Sequence, residues 1–435
     1  MKAEMNALVL RALTGIVPIL NLRGVDALAR DGGDLDYMVP VGEAIGACRL
    51  VADAALAEGW FLTDFRNIMY LAQIVLIRPG NSGLDQSVKL DFFDGIRWYA
   101  VGEDVAGQQL FNTLMPLQGN VSRLAGAAGF FQKILVVGRV SERDWRRVAA
   151  TGADLNYLAN TAQSLLLPIT LSEIERRGVT GLRKWRLRAA SGGSAAGATS
   201  SGIWLLQAAV AHVRFKAGLG TCGGMLIGVS GLDGSGKTTL VERLIAAIRS
   251  ASGEPPTVVH LLPAWIPLPH QIFRRTKTQG NYTRPYAEPP VSSWVNGWLR
   301  LTFYLCAFAL ARLALWLGVT RGRIVILDRS FLDFGSDLTR SRIPARRLPT
   351  WLLRALMPKG QIFYLDASPK EVVARKGELT MEKACSLKIS YLEIGKALGV
   401  TLLNGDSGPD DVFRELLGHL SLEYLRRIRD AEGRK

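Results

Sequence analysis

Two kinds of hydrophobic spacing divide this chain. Beyond residue 220, short continuous apolar runs recur: MLIGVS (225–230), TVVHLL (257–262), RIVILD (323–328), QIFYLD (361–366) and VTLLN (400–404). Amphipathic stretches such as LVERLIAAI (240–248) lie between them. Strand-length runs alternating with helical periodicity predict a parallel sheet covered by helices, with ligands beyond the carboxyl ends of its strands. The first half reads differently. DGGDLDYMV (31–39) and VKLDFFD (88–94) alternate acids with apolar residues, as half-buried strands do, and VGEAIGACRLVADAALAEGW (41–60) reads as a covering helix. Between the halves, AASGGSAAGATSSG (189–202) has no apolar period and reads as a flexible linker. The expected organisation is an α/β chain with a smaller α/β domain at 1–185, a linker at 186–219 and a second domain at 220–435.

One run has a different length. LTFYLCAFALARLALWLGV (301–319) approaches a membrane span. Arg312 in its middle, and the strand that follows at once, favour a buried helix packed on the sheet; the alternative is a helix lying on a membrane surface. At the N-terminus, Glu4 and Arg11 favour a first helix over a signal peptide.

Composition changes the picture mainly through charge. With 48% hydrophobic and 21% charged residues the chain is an ordinary globular one. Its formal net charge of +15 favours anionic partners. Cys48, Cys222, Cys306 and Cys385 have no CxxC spacing, which argues against a zinc site or disulfide framework and fits a reducing, cytoplasmic setting. The four histidines, His212, His260, His270 and His419, are dispersed and are assigned no role.

The chemistry concentrates in GLDGSGKTTL (231–240), a complete G-x-x-x-x-G-K-[ST] loop between a strand and a helix. Glycines let backbone N–H groups wrap phosphates, and the helix N-terminus adds partial positive charge. The candidate nucleotide binders are Gly231, Gly234, Ser235, Gly236, Lys237, Thr238 and Thr239, with ATP and Mg²⁺ as the expected ligands. Lys237 suits the β- and γ-phosphates and Thr238 suits the metal. Asp233 places a carboxylate beside bound phosphates, which needs a task such as an acceptor hydroxyl or a metal-bound water. Asp328 ends the third strand and can order Mg²⁺, while Arg329 can clamp the transferring phosphoryl group. Asp366, at the next strand end, reads as structural.

This half resembles the thymidylate kinase family. The likeness rests on GLDGSGKTTL, LDRS (327–330), YLDASPKEVVARKGEL (364–379), YLEIGKALGV (391–400) and LNGDSGPDDV (403–412), and covers most of 220–430. It implies a P-loop kinase fold, ATP:Mg²⁺ as donor, and Asp328 and Arg329 at the reacting phosphates. It also implies Arg375 and Lys376 in or near a lid, and Asp233 against the acceptor. The chain departs from the family at LLPAWIPLPHQIFRRTKTQGNYTRPY (261–286) and after the Asp-Arg pair, so an acceptor other than dTMP is expected. RKGEL, in place of a longer arginine lid, is similar to a divergent branch associated with sugar modification and surface polysaccharide.

In the first half, Asp34 and Asp36 stand at i and i+2 of a strand and therefore share a face; Asp91 on a second strand offers a third carboxylate, with Asp94 as its rival. Three such acids suit a pair of Mg²⁺ ions. The arrangement resembles the DNA-polymerase-β-like nucleotidyltransferases over about residues 15–100, with LRG (22–24) standing at the family's glycine.

The expected whole is an ATP phosphotransferase fused to a nucleotidyltransferase-like domain. The alternatives are a dTMP kinase proper and a non-enzymatic ATP-binding module of a membrane or nucleic-acid assembly. Expected partners are a small-molecule or nucleotide acceptor, a peripheral membrane contact through 301–319 and a second copy of the chain, with no specific nucleic acid.

Overall fold

The structure is a computed structural model. It describes residues 1–22, 34–40, 42–68, 71–81, 85–94, 121–134, 139–164, 169–182, 223–252, 255–263, 265–266, 294–338, 340, 343, 348–376 and 379–433. The expected linker, and Arg23 and Gly24 of the LRG segment, lie outside these residues. The chain divides into two compact units: Met1–Arg78 with Gln86–Ala217 and Ser421–Lys435, and Pro79–Asp85 with Gly218–Leu420.

The first unit carries a mixed five-stranded sheet. In chain order its strands are β1 (Leu20–Asn21), β2 (Leu35–Val39), β3 (Phe61–Ile68), β4 (Leu71–Arg78) and β5 (Gln86–Asp94), arranged β1-β2-β5-β4-β3. Only β2 and β5 run parallel. Helix α1 (Lys2–Leu13) packs on α2 (Ala44–Ala57), and α2 covers the sheet. On β2 the alternation expected from DLDYMV holds from Leu35 to Tyr37, after which Met38 and Val39 are both buried. Tyr37 is buried and stacks on Phe92 at 5.5 Å, while Asp36 is directly opposite Asp91 in the parallel register. Four short helices follow: α3 (Val121–Gln132), α4 (Glu142–Ala150), α5 (Leu155–Ser164) and α6 (Leu171–Arg177). They enclose a second core around Phe130, Phe131, Leu158 and Ile174.

The second unit carries an all-parallel sheet of β6 (Met225–Gly231), β7 (Thr257–His260), β8 (Ile324–Asp328), β9 (Gln361–Asp366) and β10 (Thr401–Asn404), arranged β10-β9-β6-β8-β7. Its helices are α7 (Lys237–Ser252), α8 (Trp294–Thr320), α9 (Phe331–Ser336), α10 (Thr350–Leu356), α11 (Pro369–Lys376), α12 (Met381–Leu398) and α13 (Pro409–Glu432). The central strand β6 comes first in sequence. The chain then crosses to the edge strand β7, returns to β8 beside β6, and later adds β9 and β10 on the other side, so the loop after β6 opens at a topological switch point.

Three sequence expectations are corrected by packing. The sequence assigns 220–435 to one domain, but from Ser421 the end of α13 packs in the first unit. Ser421 Oγ accepts from Leu62 N at 2.8 Å and donates to Leu62 O at 3.1 Å, which covers the open edge of β3. Conversely, Pro79–Asp85 belongs to the second unit, because Arg243 donates to Asp85 at 2.8 Å, to Gly80 O at 3.0 Å and to Asp410 at 2.6 Å. Third, α8 is buried on one face only. Phe308 packs against Phe331 and Phe334 at 4.3 and 5.1 Å, whereas Leu310, Leu313 and Trp316 are more than half exposed. A 27-residue helix beside a sheet of four- to seven-residue strands outruns the surface that could bury it.

Asp64 on β3 is buried, with Oδ2 accepting from Arg66 Nε at 2.9 Å and Oδ1 meeting no hydrogen-bond donor among the described residues. Burial pushes its carboxyl up to about 6, with Arg66 opposing. A raised folded-state value means stability is complete below the unfolded pKa of about 4 and is lost as pH rises through 6. Between pH 4 and pH 8 the wild type should therefore lose on the order of 2 kcal/mol from this group. Denaturant titrations across that range should show a flatter profile for Asp64→Asn; an unchanged slope would assign the effect elsewhere.

Candidate functional site

The loop after β6 is built by local constraints. Gly231 and Gly236 take φ of 158° and 98°, and Gly234 takes 100°. A Cβ on Gly231 would stand 2.8 Å from Ser235 Oγ and 3.0 Å from Leu365 O, so no other residue fits the turn. Lys237 opens α7 and turns back under the loop, where Nζ donates to Gly231 O at 2.6 Å and Leu232 O at 2.7 Å. It is 6% exposed, and burial pulls its pKa down to about 8 against the pull of Asp333 and Asp233. Thr238 and Thr239 are exposed on the first turn of α7. Ser235 Oγ is buried with no hydrogen-bond partner among the described residues. A donor left over in a loop of glycine turns at a helix start fits a phosphate oxygen.

Asp328 ends β8 opposite Val229 of β6, and Arg329 N donates back to Val229 O at 3.1 Å. Arg329 takes φ of 73°, a left-handed conformation that a non-glycine residue adopts at a cost of about 1–2 kcal/mol. That turn aims its guanidinium at Asp233, which also accepts from Arg340 and lies 3.8 Å from Lys237 Nζ. Burial alone would raise Asp233; Arg329, Lys237 and Arg340 together hold it at about 2. Asp233, expected to contact an acceptor hydroxyl or a metal-bound water, anchors two arginines. Asp328 accepts from His260 Nδ1 at 2.9 Å, and that hydrogen bond leads the causes that hold its carboxyl below the ordinary value. Behind them, Asp333 accepts from Ser330 N at 2.8 Å and from Tyr391 OH at 3.0 Å, fixing the turn after β8.

Arg375 is paired with Glu371 on its own helix, and the side chain of Lys376 lies outside the described residues. Asp366 pairs with Lys388 at 2.8 Å, as a structural strand end would. Sequence reasoning missed His260 and Arg340. It also missed Asp333, although Ser330-x-x-Asp333 spells a capping box that the helix realises.

In the first unit, Asp34, Asp36 and Asp91 each offer a carboxylate oxygen within 4.8 Å of the others. Asp94 is not among them; its Oδ1 accepts from Gly42 N at 2.7 Å. Gln73 Nε2 donates to Asp91 Oδ1 at 2.7 Å. Lys89 reaches into the same face, 2.7 Å from Asp34 and 3.7 Å from Asp91. Burial pushes Asp91 up to about 6, with Lys89 and Gln73 opposing and Asp36 and Asp34 adding to the rise. Burial pulls Lys89 down, but the acids around it more than offset this and its net shift is upward. Three carboxylate oxygens this close together repel one another when ionised, and a divalent cation relieves that repulsion.

No protein-family model matches the chain, and no curated protein matches it. Among solved structures, thymidylate kinase from Candida albicans matches with a TM-score of 0.34 and 17% identity, over 46% of this chain and 93% of that one. Deoxyadenosine kinase from M. mycoides, with bound dATP, matches at 0.28 and 13% identity, over 46% and 99%. Thymidylate kinase from Ehrlichia chaffeensis matches at 0.27 and 18% identity, over 46% and 97%. Scores and identities this low do not establish a fold, which stands instead on the order and direction of the strands in the second sheet.

Proposed function

We propose that the second unit is an ATP phosphotransferase acting on a small-molecule or nucleotide acceptor. The observation that carries this reading is the convergence of a buried Lys237 inside a glycine-turn loop with Asp328 and Arg329 at the adjacent strand end. The loop N–H groups and the start of α7 would hold the β- and γ-phosphates of ATP. Thr238 and Asp328 would hold Mg²⁺, which supplies charge neutralisation there. Arg329 and Arg340, aimed by Asp233, would stabilise charge developing on the transferring phosphoryl group. The acceptor oxygen forms its bond to the γ-phosphorus, the bond to the β–γ bridging oxygen breaks, ADP leaves, and the acceptor's proton passes to solvent or a nearby carboxylate. Rate enhancement would come from positioning and electrostatics, since the protein forms no covalent bond.

A second activity is favoured by the acidic cluster. Three clustered carboxylates, Asp36 and Asp91 opposite each other on two parallel strands and Asp34 just before the first, would bind Mg²⁺ with a nucleoside triphosphate, as nucleotidyl transfer requires.

An acceptor screen with ATP and Mg²⁺ tests the kinase reading, using nucleoside monophosphates, sugars and polyols and measuring ADP release. At least one acceptor class should raise ADP formation well above the rate with water. Turnover confined to dTMP would make the protein a dTMP kinase. ATP binding with no transfer to any class would leave a non-enzymatic module and end the kinase reading.

A further inference from the structure

The two faces of α8 differ. Leu301, Phe308, Ala311 and Leu315 are buried in the core of the second unit. On the other side Val295, Leu299, Leu310, Leu313, Trp316 and Leu317 are between 37% and 61% exposed. The turns between carry Thr302, Cys306 and Ala309, also exposed and uncharged, so the stripe is unbroken. From 295 to 317 it runs roughly 33 Å at about 1.5 Å per residue. A helix facing water ordinarily presents polar residues there.

The charge around the stripe names its occupant. From residue 289 to 327 the sequence holds four charged residues, Arg300, Arg312, Arg321 and Arg323, and no acid. Helix α10 lies alongside, joined to α8 by a hydrogen bond from Arg312 to Ala355 O. It adds an exposed Trp351 (71%) and Arg354, again with no acid. A second copy seated stripe to stripe would bring these arginines against their own equivalents. A membrane-spanning placement would pull Phe308 and Leu315 out of the core. An anionic bilayer surface meets both halves of the pattern, with acyl chains for the leucines and headgroups for the arginines.

We propose that α8 lies in the plane of an anionic membrane and binds the protein to it peripherally through this stripe. Flotation with phosphatidylcholine vesicles, with and without phosphatidylglycerol, tests this on the full chain. The wild type should float with anionic vesicles, poorly with neutral ones, and less as salt rises. Leu310→Asp/Leu313→Asp/Leu317→Asp should lower partitioning by more than about tenfold. Should that variant fail to fold, Arg321→Ala/Arg323→Ala keeps the test open, since both side chains are exposed; each loss should weaken binding about fivefold. Equal flotation with neutral vesicles, or binding indifferent to both variants, would overturn the proposal. So would a wild-type dimer that ignores vesicles and that the aspartates split into monomers.

Discussion

Lys237→Ala is expected to reduce ATP-dependent transfer by about a hundredfold to a thousandfold, the usual cost of losing a charge aimed at the reacting phosphates. The side chain also has a structural task. Its ammonium satisfies Gly231 O and Leu232 O, and removing it leaves those carbonyls without a donor, a cost of about 1–3 kcal/mol. Part of that is offset because a buried cation no longer has to be desolvated. The melting temperature should fall by only a few degrees while turnover nearly vanishes. Steady-state kinetics and a thermal scan on one preparation check both; near wild-type turnover would remove Lys237 from the chemistry.

Arg329→Gly should separate activity from stability more sharply. The guanidinium is aimed at Asp233 by a left-handed backbone that arginine adopts at a cost and glycine adopts freely. Turnover should drop about a hundredfold with ATP affinity within a few-fold, because a contact made in the transition state is lost. Relief of strain should make Arg329→Gly more stable than Arg329→Ala by about 1 kcal/mol. A KM effect with unchanged kcat, or a glycine variant less stable than the alanine one, would contradict this account of the turn.

The second sheet was legible because its three inner strands, β6, β8 and β9, are buried on both faces and read as unbroken apolar runs; β9 occupies the residues expected, 361–366. β7 stops at His260, two residues early, because Leu261 turns left-handed at φ of 57°. Strand β3 escaped notice because Asp64 and Arg66 interrupt its apolar pattern, and the burial of Asp64 beside a half-buried Arg66 is a tertiary fact. Asp34 and Asp36 could be placed on one face from alternation alone. The sequence put Asp91 first with Asp94 as its rival, and the parallel register that sets Asp36 beside Asp91 separates the two. Arg340 lies 107 residues from Asp233, and no local spacing announces that pair.

Parallel incubations with ATP labelled at the γ- or the α-phosphorus, across a panel of acceptors, separate phosphoryl from nucleotidyl transfer directly. The account predicts γ-label on an acceptor, with ADP formed in equal amount. That transfer should survive Asp34→Asn/Asp36→Asn and disappear in Lys237→Ala. Any α-label reaching an acceptor should behave in the opposite way. Transfer of the α-label alone, or γ-transfer that persists in Lys237→Ala, would contradict the assignment of a kinase to the second unit.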